Sequence, residues 1–184
     1  MSDIVELSIP DPCLVVLVGA AGAGKSTFAA RHFNPDEVLS SDAFRERVAG
    51  DAADQQATGP AFAALHRSLR HRLALRQLTV VDATSVVRRS RRSLARAAEA
   101  AGLPCVAVVL DLPAEVVLAR NAGRRDRRVP EQAVRRQLRW LAISLRPPGL
   151  ASEGFGRVHT LRDPGEIERT VVRREPAGGT GPIP

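Results

Sequence analysis

Gly19-Ala-Ala-Gly-Ala-Gly-Lys-Ser-Thr27 is a glycine-rich segment between an apolar run, Cys13 to Val18, and a helix-like stretch, Phe28 to Phe33. It fits Gly-x-x-x-x-Gly-Lys-[Ser/Thr] in the strand-then-helix setting that a phosphate-binding loop, or P-loop, requires. Glycines allow backbone N–H groups to wrap a polyphosphate at a helix N-terminus. The alternative is a turn that arose by chance in an alanine-rich chain. We expect phosphate contacts from Gly22, Ala23, Gly24, Lys25, Ser26 and Thr27.

Lys25 is the only lysine among the 27 basic residues of the chain. Lysine carries a compact, flexible ammonium group that arginine does not replace. In a P-loop such a group bridges the β- and γ-phosphates, and the neighbouring hydroxyl ligates Mg²⁺. We therefore predict that Lys25 is catalytic and that Ser26 is a magnesium ligand, with ATP as the nucleotide.

Apolar runs alternate with helix-like stretches along most of the chain, which predicts an α/β fold with a mainly parallel sheet flanked by helices. The expected strands are Cys13 to Val18, Val38 to Ser40, Leu78 to Val81, Val106 to Leu110 and Arg157 to Leu161. The expected later helices run from Ser41 or Asp42 to Val48, from Pro60, from Arg88 to Ala101, from Pro113 to Asn121, from Pro130, and from Asp163 to near Arg173. Ligands of such sheets bind at the carboxyl ends of the strands.

Length and composition favour one soluble globular domain. The chain has 184 residues, of which 44% are hydrophobic and 26% charged. We expect a kinase-type domain over residues 1–174 and a disordered tail over 175–184, where glycine and proline are frequent. Two cysteines make neither a disulfide framework nor a zinc site. The first residues lack a basic leader and the longest apolar run is too short for a bilayer, so we expect a cytoplasmic protein without a membrane partner.

Net charge indicates the kind of partner. The formal charge is +7, and the stretch from Arg88 to Ala101 is very basic. A basic balance suits nucleic acid or a nucleotide, although a basic surface without a specific partner gives the same count. If the basic helix follows a nucleic-acid backbone, Arg91 and Arg92 are the expected contacts.

Among P-loop proteins, the sequence favours a small phosphotransferase. The guanine-specific motif of GTPases, Asn-Lys-x-Asp, needs a second lysine, which this chain lacks. Motor and transporter ATPases carry additional coupling elements and are longer.

A phosphotransferase also needs a base for the acceptor hydroxyl, and Ser41-Asp42-x-x-Arg45 is the candidate. We expect Asp42 to end the second strand beside the P-loop strand, with its carboxylate towards the γ-phosphate. Arg45, one helical turn on, is expected to hold an anionic acceptor. Asp82, after a third apolar strand, is expected to hold a magnesium-bound water or to orient Arg45. The alternatives are helix caps for both aspartates and an ordinary surface role for the arginine.

The segment from Arg120 to Arg128 is a glycine- and arginine-rich run that predicts a lid over ATP. Arg120, Arg124 and Arg127 are spaced by four and three residues, so a helix would bring them onto one side. The alternative is a solvated charged surface.

Taken together, these segments resemble the kinase domain of the bacterial polynucleotide kinase-phosphatase family. The resemblance runs from about Leu14 to Arg174. It rests on the P-loop, on the order of the short sequence segments that follow it and on the spacing between those segments. Beyond the P-loop, these segments are Val38-Leu-Ser-Ser-Asp42 with Arg45, Asp54-Gln55, Thr58-Gly59, Ala61-Phe62, Leu78-Thr-Val-Val-Asp-Ala-Thr84 and Arg120-Asn121 with Arg124-x-Asp126-Arg127.

The resemblance implies ATP-dependent phosphorylation of the 5′-hydroxyl ends of DNA or RNA during repair. It implies that Asp42 is the general base and that Arg45 contacts the acceptor. It also implies lid roles for Arg120, Arg124 and Arg127, with Arg124 on the transferring phosphates.

Two departures from the family accompany the resemblance. Ser85 stands where the family often has asparagine after Asp-x-Thr, and the phosphatase and ligase parts of the larger bacterial enzyme have no counterpart. Two other functions stay open: a kinase of a sugar, nucleotide sugar or antibiotic, and a nucleotide-binding regulatory module without transfer activity.

Overall fold

Strands and helices alternate along the chain in a computed structural model that describes residues 4–49, 58–125 and 128–177. The strands are β1 (Val5–Asp11), β2 (Leu14–Val18), β3 (Val38–Ser40), β4 (Thr79–Asp82), β5 (Cys105–Leu110), β6 (Arg157–Leu161) and β7 (Thr170–Pro176). The helices are α1 (Lys25–His32), α2 (Ser41–Ala49), α3 (Thr58–Ala74), α4 (Arg88–Ala100), α5 (Ala114–Ala122), α6 (Glu131–Leu145) and α7 (Pro164–Arg169). Every strand predicted from the sequence is present.

The central sheet has five parallel strands in the order β3-β4-β2-β5-β6. Side chains of β2 are buried on both faces, which explains why its sequence is continuously apolar. Leu14 and Val16 pack with α3 and α4, whereas Val15 and Leu17 pack with α1 and α5. The predicted α/β fold, with a parallel sheet flanked by helices, is confirmed.

The strand order corrects one prediction about the site. We expected the strand before Asp42 to neighbour the P-loop strand, but β4 lies between β2 and β3. Ser40, at the end of β3, is paired with Asp82, at the end of β4. Asp82 is therefore between the P-loop and the start of α2.

A second sheet, β1 with β7, was missed at both ends of the chain. The two strands are parallel, from Val5 paired with Thr170 to Asp11 paired with Pro176. The final helix predicted to reach Arg173 was wrong beyond Arg169, because the chain turns extended at Thr170 and pairs with β1. The tail boundary predicted at residue 175 was also early, since β7 continues to Pro176; residues 178–184 lie outside the described part.

A buried ion pair corrects the interpretation of the basic helix. Arg91 of α4 is 0% exposed, and its guanidinium donates to both carboxylate oxygens of Glu153 at 2.7 Å. It also donates to the carbonyl of Ser85 at 3.0 Å. Arg91 is thus part of the core and unable to contact a nucleic acid, whereas Arg92 on the same helix is exposed.

Among the described residues, none of the helices is both long and apolar enough to cross a bilayer.

Candidate functional site

The P-loop connects β2 to α1 at the carboxyl edge of the sheet. Gly22 and Gly24 have φ angles of 91° and 97°, a conformation that favours glycine. A Cβ on Gly22 would lie 2.6 Å from the carbonyl oxygen of Val117, so a side chain there has no room. The P-loop glycines are thus required both by backbone conformation and by the close approach of α5.

Lys25 begins α1 beneath the loop. Its Nζ donates to the carbonyl of Ala20 at 2.9 Å, and the residue is only 9% exposed. Burial lowers the pKa of Lys25 to about 8, an effect opposed by the charge of Asp82 and reinforced by that of Arg124. The ammonium is held at the loop, where the negative charge of a phosphate would compensate for the hydration that burial removes.

Ser26 and Asp82 form the candidate magnesium site. The Ser26 hydroxyl donates to Asp82 Oδ2 at 2.7 Å, and Asp82 is 7% exposed. A hydroxyl and a carboxylate supply the oxygen ligands that Mg²⁺ prefers, and Mg²⁺ sites usually add water and phosphate oxygens to one or two protein groups. The described residues contain no group of three or more histidine, cysteine, aspartate or glutamate side chains that could hold a metal ion. Asp82 therefore adds a carboxylate beside Ser26, the predicted magnesium ligand.

Asp42 and Arg45 lie on α2, past the end of β3. Asp42 does not end the strand as predicted but is in the first turn of α2, because the helix begins at Ser41. Asp42 Oδ1 accepts from Arg45 Nη2 across one turn of that helix. The Asp42 side chain is 44% exposed, so its carboxylate is accessible from the cavity that it lines.

Two cavities adjoin the P-loop. One, of about 410 Å³, is bordered by the loop, by Arg120 and by α7; we call it the donor cavity. The other, of about 470 Å³, contains Asp42, Arg45 and Asp82; we call it the acceptor cavity. The residues common to both are Lys25, Ser26 and Arg124.

The remaining predicted P-loop residues divide between the cavity and the core. Gly22, Gly24 and Thr27 line the donor cavity. Ala23 is fully buried, and its N–H donates to the carbonyl of Ala20 at 3.1 Å. Gly22, Gly24 and Thr27 thus border the donor cavity, whereas the Ala23 side chain packs in the core.

The lid segment has a different geometry from the helix that its arginine spacing suggested. Helix α5 ends at Ala122, so Arg120 is helical and Arg124 is not. Both nevertheless line the donor cavity, and Arg120 Nη1 lies against the loop, 3.7 Å from a Cβ built on Gly24. Arg127, the third predicted lid arginine, lies outside the described residues.

Asn121 and Gln137 are site residues that the sequence analysis missed. The Asn121 side chain donates to the carbonyl of Val129 at 2.7 Å and accepts from its N–H at 3.1 Å, which joins the two ends of the lid segment. Gln137 Oε1, on α6, accepts the Ala21 N–H of the P-loop at 2.8 Å. Their partners are backbone groups, which no side-chain motif indicates.

Comparison with solved structures finds the same architecture in several kinases. A chain of the Pnkp1/Rnl/Hen1 RNA repair complex is 26% identical, with a TM-score of 0.62 over 73% of this chain and 45% of that one. This chain thus spans less than half the length of that relative. A sugar kinase from Janibacter sp. HTCC2649 is 24% identical, with a TM-score of 0.60 over 86% and 91% of the two chains. A gluconokinase from Sinorhizobium meliloti is 21% identical, with a TM-score of 0.54 over 88% and 90%.

Sequence comparison identifies the family. No curated protein matches the chain at a significant level. The sequence model of a family described as an AAA domain matches residues 14–148, from β2 through the end of α6. That range contains the P-loop, Asp42, Asp82 and the lid segment, in the fold of P-loop kinases. The chain therefore belongs to the AAA domain family.

Proposed function

We propose that this protein transfers the γ-phosphoryl group of ATP to the 5′-hydroxyl end of DNA or RNA. The observation that carries the proposal is the junction of the donor and acceptor cavities at Lys25, Ser26 and Arg124. A group transferred between two bound substrates must be reachable from both sites. The three shared side chains are a cation, a metal-ligating hydroxyl and a second cation, which suits a phosphoryl group at that junction.

On the donor side, the P-loop backbone and Lys25 hold the phosphates, and Arg120 closes the loop side of the cavity. Ile167 of α7 offers apolar surface for the adenosine end. Ser26 and Asp82 would hold Mg²⁺, which, when bound, neutralises charge on the phosphate oxygens.

On the acceptor side, Asp42 accepts the proton of the attacking hydroxyl. The oxygen–phosphorus bond to the acceptor forms as the bond to the leaving ADP oxygen breaks, and Arg124 stabilises charge on the transferring oxygens. Arg45, paired with Asp42, aims the carboxylate and contacts an anionic group of the acceptor. Asp42 is thus proposed as the general base.

Two further observations favour a nucleic-acid acceptor over a small one. The chain carries a net charge of +7, which attracts a polyanion. A chain of an RNA repair complex, 26% identical, is among the solved structures that share this fold. The likeness to the sugar kinase and the gluconokinase extends over more of each chain but concerns the fold alone.

The test is transfer of label from γ-labelled ATP to a panel of acceptors. We expect label on 5′-hydroxyl DNA or RNA oligonucleotides and none on matched oligonucleotides that carry a 5′-phosphate. Sugars, nucleotide sugars and aminoglycosides form the second half of the panel. Label on these alone would overturn the proposal in favour of a small-molecule kinase. Nucleotide binding without transfer to any acceptor would favour a regulatory module.

A further inference from the structure

A third cavity opens beside the acceptor cavity and is not explained by phosphoryl transfer. It measures about 210 Å³ and lies between α3, the segment after β4, α4 and α6. Its lining is mostly apolar and aromatic, with Phe62 and His66 from α3, Val86 from the segment after β4, Leu94 from α4 and Trp140 from α6. We call it the ring cavity.

The ring cavity adjoins the acceptor cavity. Ser41, Arg45 and Gln137 line both, so the two cavities lie side by side at these residues. A molecule whose hydroxyl lies at Asp42 would therefore reach the ring cavity by passing Arg45. The occupant is therefore another part of the acceptor rather than of the nucleotide donor.

The chemistry of the ring cavity suits a flat heteroaromatic group. Trp140 is the only tryptophan of the chain, lines the cavity and is 41% exposed, so part of its ring surface is open to contact. The guanidinium of Arg136 lies 5.3 Å from the centre of the indole ring and also lines the acceptor cavity. Arg136 thereby offers positive charge next to a stacking surface, the combination that single-stranded nucleic acid requires.

Polar groups at the margin of the cavity can contact the edge of such a ring. Burial lowers the pKa of His66, with a smaller effect from Arg70, which favours the neutral imidazole, the form that can both donate and accept a hydrogen bond. Ser85 and Ser90, which also line the cavity, add hydroxyl groups. A sugar or polyol acceptor would leave this apolar space unused.

We infer that the ring cavity binds the terminal nucleobase of the acceptor, stacked on Trp140, while the 5′-hydroxyl of the same nucleoside lies at Asp42. This inference rests on the proposed function and extends it. It makes the acceptor a nucleoside at the end of a strand and predicts recognition of the base by shape, with little sequence preference.

Trp140 provides its own probe, because the chain has one tryptophan and no tyrosine. We expect a 5′-hydroxyl trinucleotide, added without ATP, to quench the Trp140 fluorescence in a saturable manner. The same trinucleotide with an abasic 5′-residue should cause little quenching, and its Kd should be about tenfold higher or more, the effect of losing one stacked base. Equal quenching by the abasic and the complete trinucleotide would overturn the inference.

Kinetic variants separate this inference from the proposed function. Trp140→Ala should raise the KM for the trinucleotide about tenfold with kcat within about twofold, and Trp140→Phe should restore most of the loss. Ile143→Ala is the matched control, since Ile143 is exposed on the same helix and lines none of the three cavities; its KM should not change. If Trp140→Ala phosphorylates complete and abasic ends with the KM of the natural protein, base binding in the ring cavity is refuted and the proposed kinase function stands. Label on small metabolites alone would refute both.

Discussion

Nucleotide binding should be accompanied by proton uptake at Lys25, to an extent that depends on pH. Burial holds the pKa of Lys25 at about 8, so the ammonium is mostly charged at pH 7 and mostly neutral well above pH 8. Phosphate oxygens beside it favour the charged form and raise that pKa in the complex. Because the pKa is higher in the bound state, binding must draw a proton from solution wherever free Lys25 is neutral.

The size of the effect follows from the pKa of about 8. Near pH 7, about nine-tenths of free Lys25 is already protonated, so uptake is about 0.1 proton per site. Near pH 8.5, about a quarter is protonated, so uptake rises to about 0.75 proton. Titration calorimetry with a non-hydrolysable ATP analogue, repeated in buffers of different ionisation enthalpy, measures this number directly.

Lys25→Arg is the matched control for this prediction. Its guanidinium stays charged at both pH values, so the pH-dependent uptake should vanish. The planar group does not fit where a compact ammonium meets the Ala20 carbonyl, so phosphoryl transfer should not be restored. Near-zero uptake by the natural protein at pH 8.5 would refute the argument that burial destabilises the charged lysine.

Three further predictions concern the core, the acceptor and the metal. Arg91→Met should lower the free energy of unfolding by about 3–5 kcal/mol, because the buried Glu153 carboxylate loses both hydrogen bonds from Arg91 and keeps only the longer contact with the exposed Arg88, at 3.7 Å. For a chain of this size that is a fall in Tm of about 6–20 °C by calorimetry. Adding Glu153→Leu should recover most of the lost stability. An unchanged Tm in Arg91→Met would contradict the argument that the buried ion pair stabilises the core. Arg45→Ala should raise the KM for a 5′-hydroxyl oligonucleotide at least about tenfold in steady-state kinetics. The Kd for ATP, measured by nucleotide titration, should stay within about twofold. An unaltered KM for the oligonucleotide would show that Arg45 does not contact the acceptor. Asp82→Asn should raise the Mg²⁺ concentration that gives half-maximal rate about 10- to 100-fold, because the Ser26 hydroxyl loses its carboxylate partner. The rate should recover in part at high Mg²⁺. A magnesium titration with an unchanged half-maximal concentration would contradict a role for Asp82 in holding the metal.

Local patterns were enough to predict the P-loop and the central sheet. The glycines of the loop are fixed by positive φ and by contact with α5, and the apolar run of β2 by burial on both faces. Each requirement affects several consecutive residues, so each is visible in a short stretch of sequence even where its cause is a distant helix. The same holds for Lys25, whose chemistry admits no other residue type.

Contacts between distant residues explain what the sequence could not predict. Glu153, the partner of Arg91, is 62 residues away. The burial of Arg91 therefore could not be predicted from its own segment, whose arginine-rich sequence is typical of an exposed basic surface. β7 follows a capping box at Asp163, which predicts a helix, and only pairing with β1, at the other end of the chain, makes Thr170–Pro176 a strand. Asn121 and Gln137 bind backbone groups, for which side-chain type gives no signal.

In the proposed reaction, Asp42 is the base of phosphoryl transfer. General-base catalysis contributes roughly 10²–10⁴-fold to rate. Asp42→Asn keeps the size of the side chain and removes its basicity, and the donor cavity does not include this residue. In a single-turnover measurement with γ-labelled ATP and a 5′-hydroxyl oligonucleotide, the variant should transfer phosphate about 10²–10⁴-fold more slowly, with the Kd for ATP within about twofold. Retention of most of the transfer rate by Asp42→Asn, with loss of transfer in Asp82→Asn even at high Mg²⁺, would contradict the account and assign the base to Asp82.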